Sequence, residues 1–292
     1  MVEWMSKTYL SLDERIEVAT LAREVETADG VFPLNDGAEQ LIARTAPKEP
    51  ISQAGVHVLA RADDKLVGYG CLLENSSAVI FVAPWYRRRS VGRRLLAALE
   101  EGSSAIGVWA FADLGEGREF ARAEGLVPTR KLMVMDLGLE GRTPTACPPS
   151  LRITTFDEDD LEELVRINSR AFVAHPDQSS WGVDQFAAMM AQNWFDPQGV
   201  FIARTSPDSA MVGFAVTKID EGIAVVHILG VDPHHSGQGI GRALLEAGLA
   251  HLSQAGMLWA RLWVDASNTR ARDLYLRFGF SAHRVDVQYR RG

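Results

Sequence analysis

Three glycines within five residues form the clearest candidate anion site in this sequence. Gly237, Gly239 and Gly241 follow an apolar, strand-like run, and apolar residues at helical spacing resume at Leu244. Such a turn leaves the first backbone N–H groups of the helix without partners and lets an anion approach them closely. The spacing differs from the dinucleotide-binding fingerprint and from the Walker loop. It predicts a pyrophosphate-binding turn, although a glycine-rich turn without function would have the same composition.

Two side chains near this turn have the chemistry for proton transfer. Tyr275 lies on a segment with helical periodicity, where its hydroxyl is a possible proton donor. His227 lies in the apolar run before the turn and is a possible proton acceptor, because neutral imidazole is a base near neutral pH. Each residue also has a structural interpretation, Tyr275 as a core aromatic residue and His227 as a hydrogen-bonded residue of a buried strand.

Composition places these residues in a two-domain globular protein. The chain has 292 residues, of which 47% are hydrophobic, and its net charge of −8 argues against binding nucleic acid or an anionic membrane. The longest apolar run, residues 223–231, is too short to cross a bilayer, and the first residues are charged. Cys71 and Cys147 have no spacing typical of a disulfide or a metal site. We expect a cytoplasmic, monomeric protein without a metal.

The chain is a tandem repeat. Residues 82–96 match residues 231–245 at a constant offset of 149, and an offset of 154 then pairs Trp109 with Trp263 and Gly125 with Gly279. The stretch 141–150 is rich in proline, glycine and threonine and reads as a linker. We therefore predict domains at 1–140 and 151–292. Each is an α/β domain with a mixed sheet and helices on both faces.

Local signals place the elements of the first half. Ser11 and Glu14 form a capping-box pattern ahead of an amphipathic helix. Strands are expected at 56–60, 66–73 and 78–82, with a hairpin turn at Asp63 and Asp64. The last strand leads into residues 87–93, the counterpart of the glycine turn at 236–242. These two segments are called the first and the second phosphate turn.

The halves differ at the positions expected to carry chemistry. Ser90 stands in the first half where the second has Gly239, and three consecutive arginines, residues 87–89, suit phosphate contacts. Ala121 stands where the second half has Tyr275. If a hydroxyl is required for chemistry at this position, the second half alone supplies it.

The second phosphate turn resembles motif A of the GCN5-related N-acetyltransferases, with Ser236 at the position where that motif has a basic residue or Gln. Longer segments resemble the mycothiol synthase family, the tandem acetyltransferases of actinobacteria. The segments are 29–33, 108–110, 168–181, 193–200 and 213–218. This resemblance covers essentially the whole chain. It implies two tandem acetyltransferase domains, acetyl-CoA as the donor, and a thiol pseudodisaccharide, cysteinyl-glucosaminyl-inositol, as the acceptor of the acetyl group.

The resemblance also implies site residues. Catalytic roles fall on Tyr275 and His227. Cofactor contacts fall on Ile80, Phe81, Val82, Arg88, Arg89, Ser90, Val91, Gly92 and Arg93 in the first half, and on Leu229, Gly230, Val231, Ser236, Gly237, Gln238, Gly239, Ile240, Gly241, Arg242, Asn268, Thr269, Arg270, Ala271, Arg272 and Asp273 in the second. Substrate contacts fall on Asp36, Asp177, Lys218, His227 and Trp263. The first half is expected to bind the cofactor without catalysis.

The chain departs from the family pattern in the strand before Gly230. Val225 stands where the family has a carboxylate, and His227 replaces a tyrosine. Because residues two apart in a strand share a face, His227 is expected to point into the same cleft as position 225. Trp263 replaces a tyrosine, and Asp36 and Asp177 stand where the family has Glu. Two alternatives remain open, namely a tandem acetyltransferase acting on another small amine and a non-catalytic sensor that binds acyl-CoA.

Overall fold

In the computed structural model, the described residues are 2–45, 55–101, 105–141, 148–173, 175, 178–179, 181–205 and 210–292. They divide into two compact units. Unit 1 comprises Met1–Leu132 with Arg284–Gly292, and unit 2 comprises Met133–His283.

Unit 1 is a mixed sheet with helices on both faces. Its strands lie in the order β1-β2-β3-β4-β5-β12, and β4 and β5 are parallel neighbours. One core cluster lies under α3 and α4 and the other under α1 and α2. The elements are β1 (Val2–Lys7), α1 (Leu12–Asp29), α2 (Asp36–Ala43), β2 (Val56–Ala62), β3 (Lys65–Leu72), β4 (Ser77–Val82), α3 (Val91–Glu100), β5 (Gly107–Ala110), α4 (Gly115–Ala123), the beginning of β6 (Leu126–Gly138) and the end of β12 (Ser281–Arg291).

Unit 2 repeats this arrangement. Its strands lie in the order β7-β8-β9-β10-β11-β6, and β10 and β11 are parallel neighbours. Core residues pack under α7 and α8 on one face and under α5 and α6 on the other. The remaining elements are β7 (Leu151–Thr155), α5 (Leu161–Ala171), α6 (Val183–Met190), β8 (Val200–Thr205), β9 (Met211–Asp220), β10 (Ile223–Val231), α7 (Ile240–Gln254), β11 (Trp259–Asp265) and α8 (Thr269–Phe278).

Local sequence signals act as predicted. The Ser11 hydroxyl accepts from the Glu14 backbone N–H while the Glu14 carboxylate accepts from the Ser11 N–H, so the capping box starts α1. Asp63 and Asp64 have φ values of 50° and 61°, the left-handed pair of a two-residue hairpin between β2 and β3. In the part of the chain described, no helix has the length and apolar character needed to cross a bilayer.

The compact units differ from the predicted domains at 1–140 and 151–292. The end of β12 pairs with β5, where Tyr289 lies opposite Val108, so residues 284–292 belong to unit 1. The end of β6 belongs to unit 2, where Asp136 binds Arg261 on β11. Long-range strand pairing decides this division, and linear composition carries no signal for it. Residues 142–147 of the predicted linker lie outside the described residues.

Candidate functional site: a split sheet beside a phosphate turn

Each unit contains a slot between two parallel strands. In unit 1, β4 and β5 pair at Ser77 with Gly107 and at Ala78 with Val108, near the start of both strands. In unit 2, β10 and β11 pair at Val225 with Arg261. Beyond these pairs the strands separate toward their carboxyl ends. The slot in each unit therefore opens beside the phosphate turn and the amino terminus of the helix that follows it.

The second phosphate turn has the backbone expected of an anion site. Gly237 and Gly239 adopt φ values of 84° and 81°, the left-handed conformation that side chains disfavour. Gly239 is the N-cap of α7 and supplies no side-chain cap, so the N–H groups of the first helical turn have no partner within the helix. These donors and the positive end of the helix dipole fit a pyrophosphate.

The first phosphate turn keeps this backbone conformation without the glycines. Arg88 and Ser90 have φ values of 61° and 60°, and they are the repeat counterparts of Gly237 and Gly239. A left-handed conformation costs about 1–2 kcal/mol for a residue with a side chain. Its retention at both positions means that unit 1 presents the amino terminus of α3 in the same way as unit 2 presents that of α7.

The arginines of the first phosphate turn already have partners in the protein. Arg87 donates two hydrogen bonds to the Asp29 carboxylate at 2.9 and 2.7 Å. Arg93 pairs with Glu124 at 2.8 Å. The guanidinium of Arg89 lies over the Tyr86 ring, 4.6 Å from its centroid. Of the three arginines predicted to bind phosphate, residues 87–89, Arg87 is therefore already paired with a carboxylate, that of Asp29.

Arg88 is highly exposed and only weakly paired. Its side chain is 88% exposed, and its guanidinium lies 3.6 Å from Glu119. A pair this exposed is worth little, so a phosphate can displace Glu119 readily.

A cavity of about 490 Å³ fills the slot of unit 1. Most of the cofactor residues predicted for the first half line it, as do Ala121 and Tyr289. The predicted lining residues are Ile80, Phe81, Val82, Arg88, Ser90, Val91, Gly92 and Arg93.

In unit 2, the strand end that faces the slot requires glycine. A Cβ atom on Gly230 would lie 2.8 Å from the Phe214 ring and 3.1 Å from Phe172, so no larger residue fits. Leu229 and Val231, on either side, are half-buried and pack beside the α7 core. The backbone of residues 229–231 is therefore held rigidly at the edge of the slot.

His227 lies at a β-bulge in β10. The register with β9 shifts between Val226 and Ile228, which leaves His227 as the extra residue. Val226 packs with α7, whereas Ile228 packs in the cluster formed with α5 and α6. The Trp194 ring packs against that same cluster and contacts the His227 ring edge to face, with centroids 5.3 Å apart. The imidazole therefore lies on the face opposite α7.

Lys218 completes this group. Its ammonium lies 5.2 Å from the centroid of the Trp194 ring and 3.1 Å from the Asp220 carboxylate. Lys218 also lies directly opposite Val225, on β9. Trp194, which had no assigned role in the sequence, thus joins two predicted site residues, Lys218 and His227. A tryptophan beside a strand gives no sequence signal for such a contact.

Tyr275 is buried on α8. Its ring packs in the α7–α8 core cluster and contacts Phe280 edge to face at 5.7 Å. Burial raises the pKa of the Tyr275 hydroxyl well above its ordinary value. The hydroxyl is therefore protonated near neutral pH and can act only as a proton donor or a hydrogen-bonding group.

The first turn of α8 lies beside the second phosphate turn. The Asn268 side chain caps α8 by accepting from the Ala271 N–H at 3.1 Å. The Arg270 guanidinium lies 3.7 Å from the position of a Cβ atom built on Gly237. A cation is thus available at a turn that has Ser236 in place of the basic residue of motif A. The other predicted contacts of α8 are Thr269, Arg272 and Asp273, of which Arg272 is half-buried and the other two are exposed.

Asp36 and Trp263, two of the residues predicted to contact the substrate, are both exposed. Asp36 is the exposed first residue of α2 in unit 1. Trp263 is 42% exposed in unit 2, and its neighbours Leu262 and Val264 pack under α7 and α8, so its side chain points to the opposite face of β11. Asp177 lies outside the described residues.

A family model described as the acetyltransferase (GNAT) family matches residues 23–116 and 161–280, one segment in each half. The chain belongs to this family. The predicted fold class, two tandem GNAT domains of mixed α/β structure, is confirmed.

Relatives named mycothiol acetyltransferase are similar along nearly the whole GNAT chain. The one from Kytococcus sedentarius is 35% identical over 96% of this chain and 95% of its own length. The one from Geodermatophilus obscurus is 39% identical over 94% and 93%, and that from Thermobispora bispora is 37% identical over 94% and 95%. Acetyl-CoA is the donor substrate of this N-acetyltransferase.

Two solved structures share the tandem GNAT fold. A GCN5-related N-acetyltransferase from Sphaerobacter thermophilus gives a TM-score of 0.75 at 22% identity and covers 98% of this chain and 95% of its own. A tandem GNAT protein from the clavulanic acid biosynthesis pathway gives 0.75 at 18% identity, with coverage of 100% and 99%.

Asp232 is a structural residue of the GNAT site that the sequence did not predict. Asp232 is buried at the end of β10, where it accepts hydrogen bonds from the His234 N–H at 3.0 Å and from Arg170 at 3.0 Å. Burial favours the neutral acid, but the hydrogen bonds from His234, and then Arg170, hold the pKa of Asp232 down at about 2. The carboxylate thereby fixes the start of the second phosphate turn. The sequence does contain a signal for this role, the Asp-Pro pair at the end of the strand.

Proposed function

We propose that this chain acetylates the cysteinyl amine of cysteinyl-glucosaminyl-inositol, with acetyl-CoA as donor, to complete mycothiol. The observation that carries the proposal is the similarity, at 35–39% identity over nearly the full length, to proteins named mycothiol acetyltransferase. The slot and phosphate turn of unit 2 support it, because they fit the pyrophosphate and pantetheine arm of the donor.

In unit 2, the second phosphate turn and the first turn of α8 are proposed to hold the donor. The N–H groups at the start of α7 bind the pyrophosphate, and Arg270 adds a positive charge beside Gly237. Acetyl-CoA supplies an acetyl group activated as a thioester. The rigid backbone of residues 229–231 provides N–H groups that can polarise the thioester carbonyl.

Proton transfer is proposed to involve two residues of unit 2. His227, directly or through a water molecule, accepts the proton that the acceptor ammonium must lose before its nitrogen attacks. When the C–N bond forms and the C–S bond breaks, Tyr275 donates its proton to the departing thiolate. The second proton that the nitrogen loses on becoming an amide returns, directly or through water, to the Tyr275 oxygen. Trp194 holds the His227 ring in place, because it contacts the imidazole on one side and the Lys218 ammonium on another.

The acceptor is proposed to contact Asp177, Lys218 and Trp263, and Asp36 stays a prediction that rests on the family resemblance. Asp36 and Asp177 are carboxylates suited to hydroxyl and ammonium groups, and Lys218 offers a cation to sugar or inositol hydroxyls. Trp263 supplies an exposed aromatic surface.

Unit 1 is proposed to bind the donor or its product without catalysis. Its cavity is lined by the predicted contact residues, and its phosphate turn keeps the left-handed backbone conformation. Ala121 lacks the hydroxyl that Tyr275 supplies in unit 2.

The enzyme is further proposed to work as a cytoplasmic monomer. It would bind neither nucleic acid nor membranes. The acidic net charge of −8 supports this proposal. Sedimentation equilibrium of the free enzyme tests the monomeric state.

Coenzyme A release tests the main proposal. The enzyme is mixed with acetyl-CoA and, in parallel, with the cysteinyl pseudodisaccharide, with glucosaminyl-inositol lacking the cysteinyl group, and with other small amines. Release that requires the cysteinyl amine supports the proposal. Faster release with another amine would favour a different acetyltransferase, which the apolar Val225 makes a specific second candidate. Binding of acetyl-CoA without release to any amine would identify a non-catalytic sensor.

A further inference from the structure

The two units carry a tyrosine at different points of equivalent cores. In unit 2, Tyr275 on α8 packs in one cluster with Met135 on β6. At the repeat offset of 154, their counterparts in unit 1 are Ala121 on α4 and Tyr289 on β12, which share a cluster. The hydroxyl therefore lies on a helix in unit 2 and on a strand in unit 1.

The backbone of Tyr289 lies at the inner end of the unit 1 slot, and its side chain extends to Asp113, just beyond the carboxyl end of β5. Its backbone pairs with Val108, and Val108 pairs with Ala78 where β4 and β5 are still joined. The first phosphate turn lies at the other end of β4. Tyr289 and Ala121 both line the cavity of about 490 Å³. A cofactor anchored by its pyrophosphate at the turn would extend its sulfur into this cavity, which Tyr289 lines.

The Tyr289 hydroxyl can only accept a hydrogen bond from a ligand. Its oxygen lies 2.6 Å from Oδ1 of Asp113, and a carboxylate oxygen has no proton to give. Arg118 donates to the other carboxylate oxygen at 3.2 Å. Burial and then the hydrogen bond to Asp113 raise the pKa of Tyr289 to about 12. The phenol proton thus stays on Tyr289 and points to Asp113, which leaves an oxygen lone pair for the cavity.

We propose that the unit 1 cavity selects free coenzyme A over acetyl-CoA, with the thiol S–H donating to the hydroxyl oxygen of Tyr289. The inference rests on the proposed cofactor binding by unit 1. A thioester sulfur carries no hydrogen and cannot make this contact. The hydroxyl also has no proton available for a leaving thiolate. Unit 1 therefore holds the product of the reaction that unit 2 performs.

Calorimetry on the full chain tests this selection. Gly239→Glu places a carboxylate in the second phosphate turn, so that unit 2 no longer competes for ligand. In this parent, coenzyme A should bind more tightly than acetyl-CoA. Tyr289→Phe keeps the ring and removes the hydroxyl, and it should weaken coenzyme A binding by ~3- to 10-fold with little effect on acetyl-CoA. Equal weakening for both ligands would place the hydroxyl against the pantetheine amides and overturn the thiol assignment.

Asp113→Asn gives a second test with no change in size. Asp113 has a φ of 43°, which asparagine tolerates. Arg118 requires an acceptor, so the amide oxygen should face Arg118 and the amide NH₂ should face Tyr289. The phenol proton then turns toward the cavity, and the preference should shift to acetyl-CoA.

The outcomes separate this inference from the proposal on which it rests. If the Gly239→Glu parent binds neither ligand, unit 1 is not a cofactor site at all. If the parent binds both, and the ratio of affinities is unchanged in Tyr289→Phe and in Asp113→Asn, unit 1 binds the cofactor and the thiol selection is wrong.

Discussion

At the scale of single residues, position 225 determines how unit 2 can perform proton transfer. Val225 lies between two cations on the neighbouring strands, Lys218 on β9 and Arg261 on β11. Lys218 is balanced by Asp220 at 3.1 Å, and Arg261 by Asp136 at 2.7 Å. The cations therefore do not depend on a carboxylate at 225. In the proposed mechanism, the His227 imidazole at the bulge two residues later accepts the proton instead.

His227→Ala should lower the acetylation rate by ~10- to 10³-fold. Imidazole must be neutral to accept a proton, so the rate of the parent enzyme should fall as pH is lowered, and the variant should lose this acidic limb. Steady-state kinetics across pH measures both effects, with acetyl-CoA affinity as the control that should stay nearly constant.

A second substitution provides a rescue. In the double variant Val225→Glu, His227→Ala, the new carboxylate would lie between Lys218 and Arg261, which favour its charged form, and activity should return in part. Full rate and unchanged pH dependence in His227→Ala alone would return His227 to a packing role.

Tyr275→Phe should slow turnover and keep the acidic limb. The variant removes a buried hydroxyl that has no hydrogen-bond partner among the described residues, so the fold should lose little stability. Turnover number and thermal midpoint, measured together, separate the two effects. Unchanged turnover would show that the thiolate takes its proton from solvent.

At the scale of elements, the sequence predicted the phosphate turns and the helices well. It did not predict the left-handed conformations in the first phosphate turn or the β-bulge in β10. Glycine spacing marked the start of α7, and the repeat then located α3. The left-handed conformations of Arg88 and Ser90 were not predictable, because neither residue type favours them and tertiary packing imposes them. The bulge at His227 was equally hidden, since its strand reads as a regular apolar run. The predicted face of His227 fits the structure.

Gly239→Glu should reduce the affinity of unit 2 for acetyl-CoA steeply while the fold holds. The substitution adds negative charge at the amino terminus of α7 and a side chain at a φ of 81°. Gly256→Glu, at an exposed left-handed glycine after α7, is a matched control for backbone strain and charge. Equal affinity in both variants by calorimetry would exclude the turn as the pyrophosphate site.

A buried polar group distinguishes the core of unit 1. The Nδ1 atom of His57 lies 2.6 Å from the Tyr69 hydroxyl. The strand positions that correspond in unit 2, by their pairing registers, are apolar and buried, Val200 for His57 and Phe214 for Tyr69. Burial lowers the pKa of His57 to about 4, compared with about 6.5 in an unfolded chain. The unfolded state therefore binds a proton first as pH falls, and stability present above pH ~6.5 is lost as pH falls toward 4.

Between pH 7 and pH 5 this group should cost about 2 kcal/mol in the free energy of unfolding. The double variant His57→Val, Tyr69→Phe copies the unit 2 residues and should remove that part of the pH dependence. Urea unfolding at the two pH values measures the difference. The same pH dependence in the variant would mean that other groups cause it.

At the scale of the whole molecule, the two units are expected to divide binding from catalysis. Replacing Arg88 and Arg89 by alanine should lower the number or affinity of bound cofactor molecules and leave the chemical step in unit 2 mostly intact. Calorimetry measures the effect on cofactor binding, and single-turnover acetylation measures the effect on the chemical step. A loss of acetylation as complete as in Gly239→Glu would show that unit 1 takes part in the chemistry.

The exchange of β6 and β12 also sets the order in which the units can be completed on the ribosome. Residues 284–292 of unit 1 are synthesised after all of unit 2, Met133–His283. The nascent first unit must therefore wait, with β5 lacking its outer neighbour, until its last strand emerges. All strands of unit 2 have left the ribosome before that moment. The unit that is started first is thus finished last.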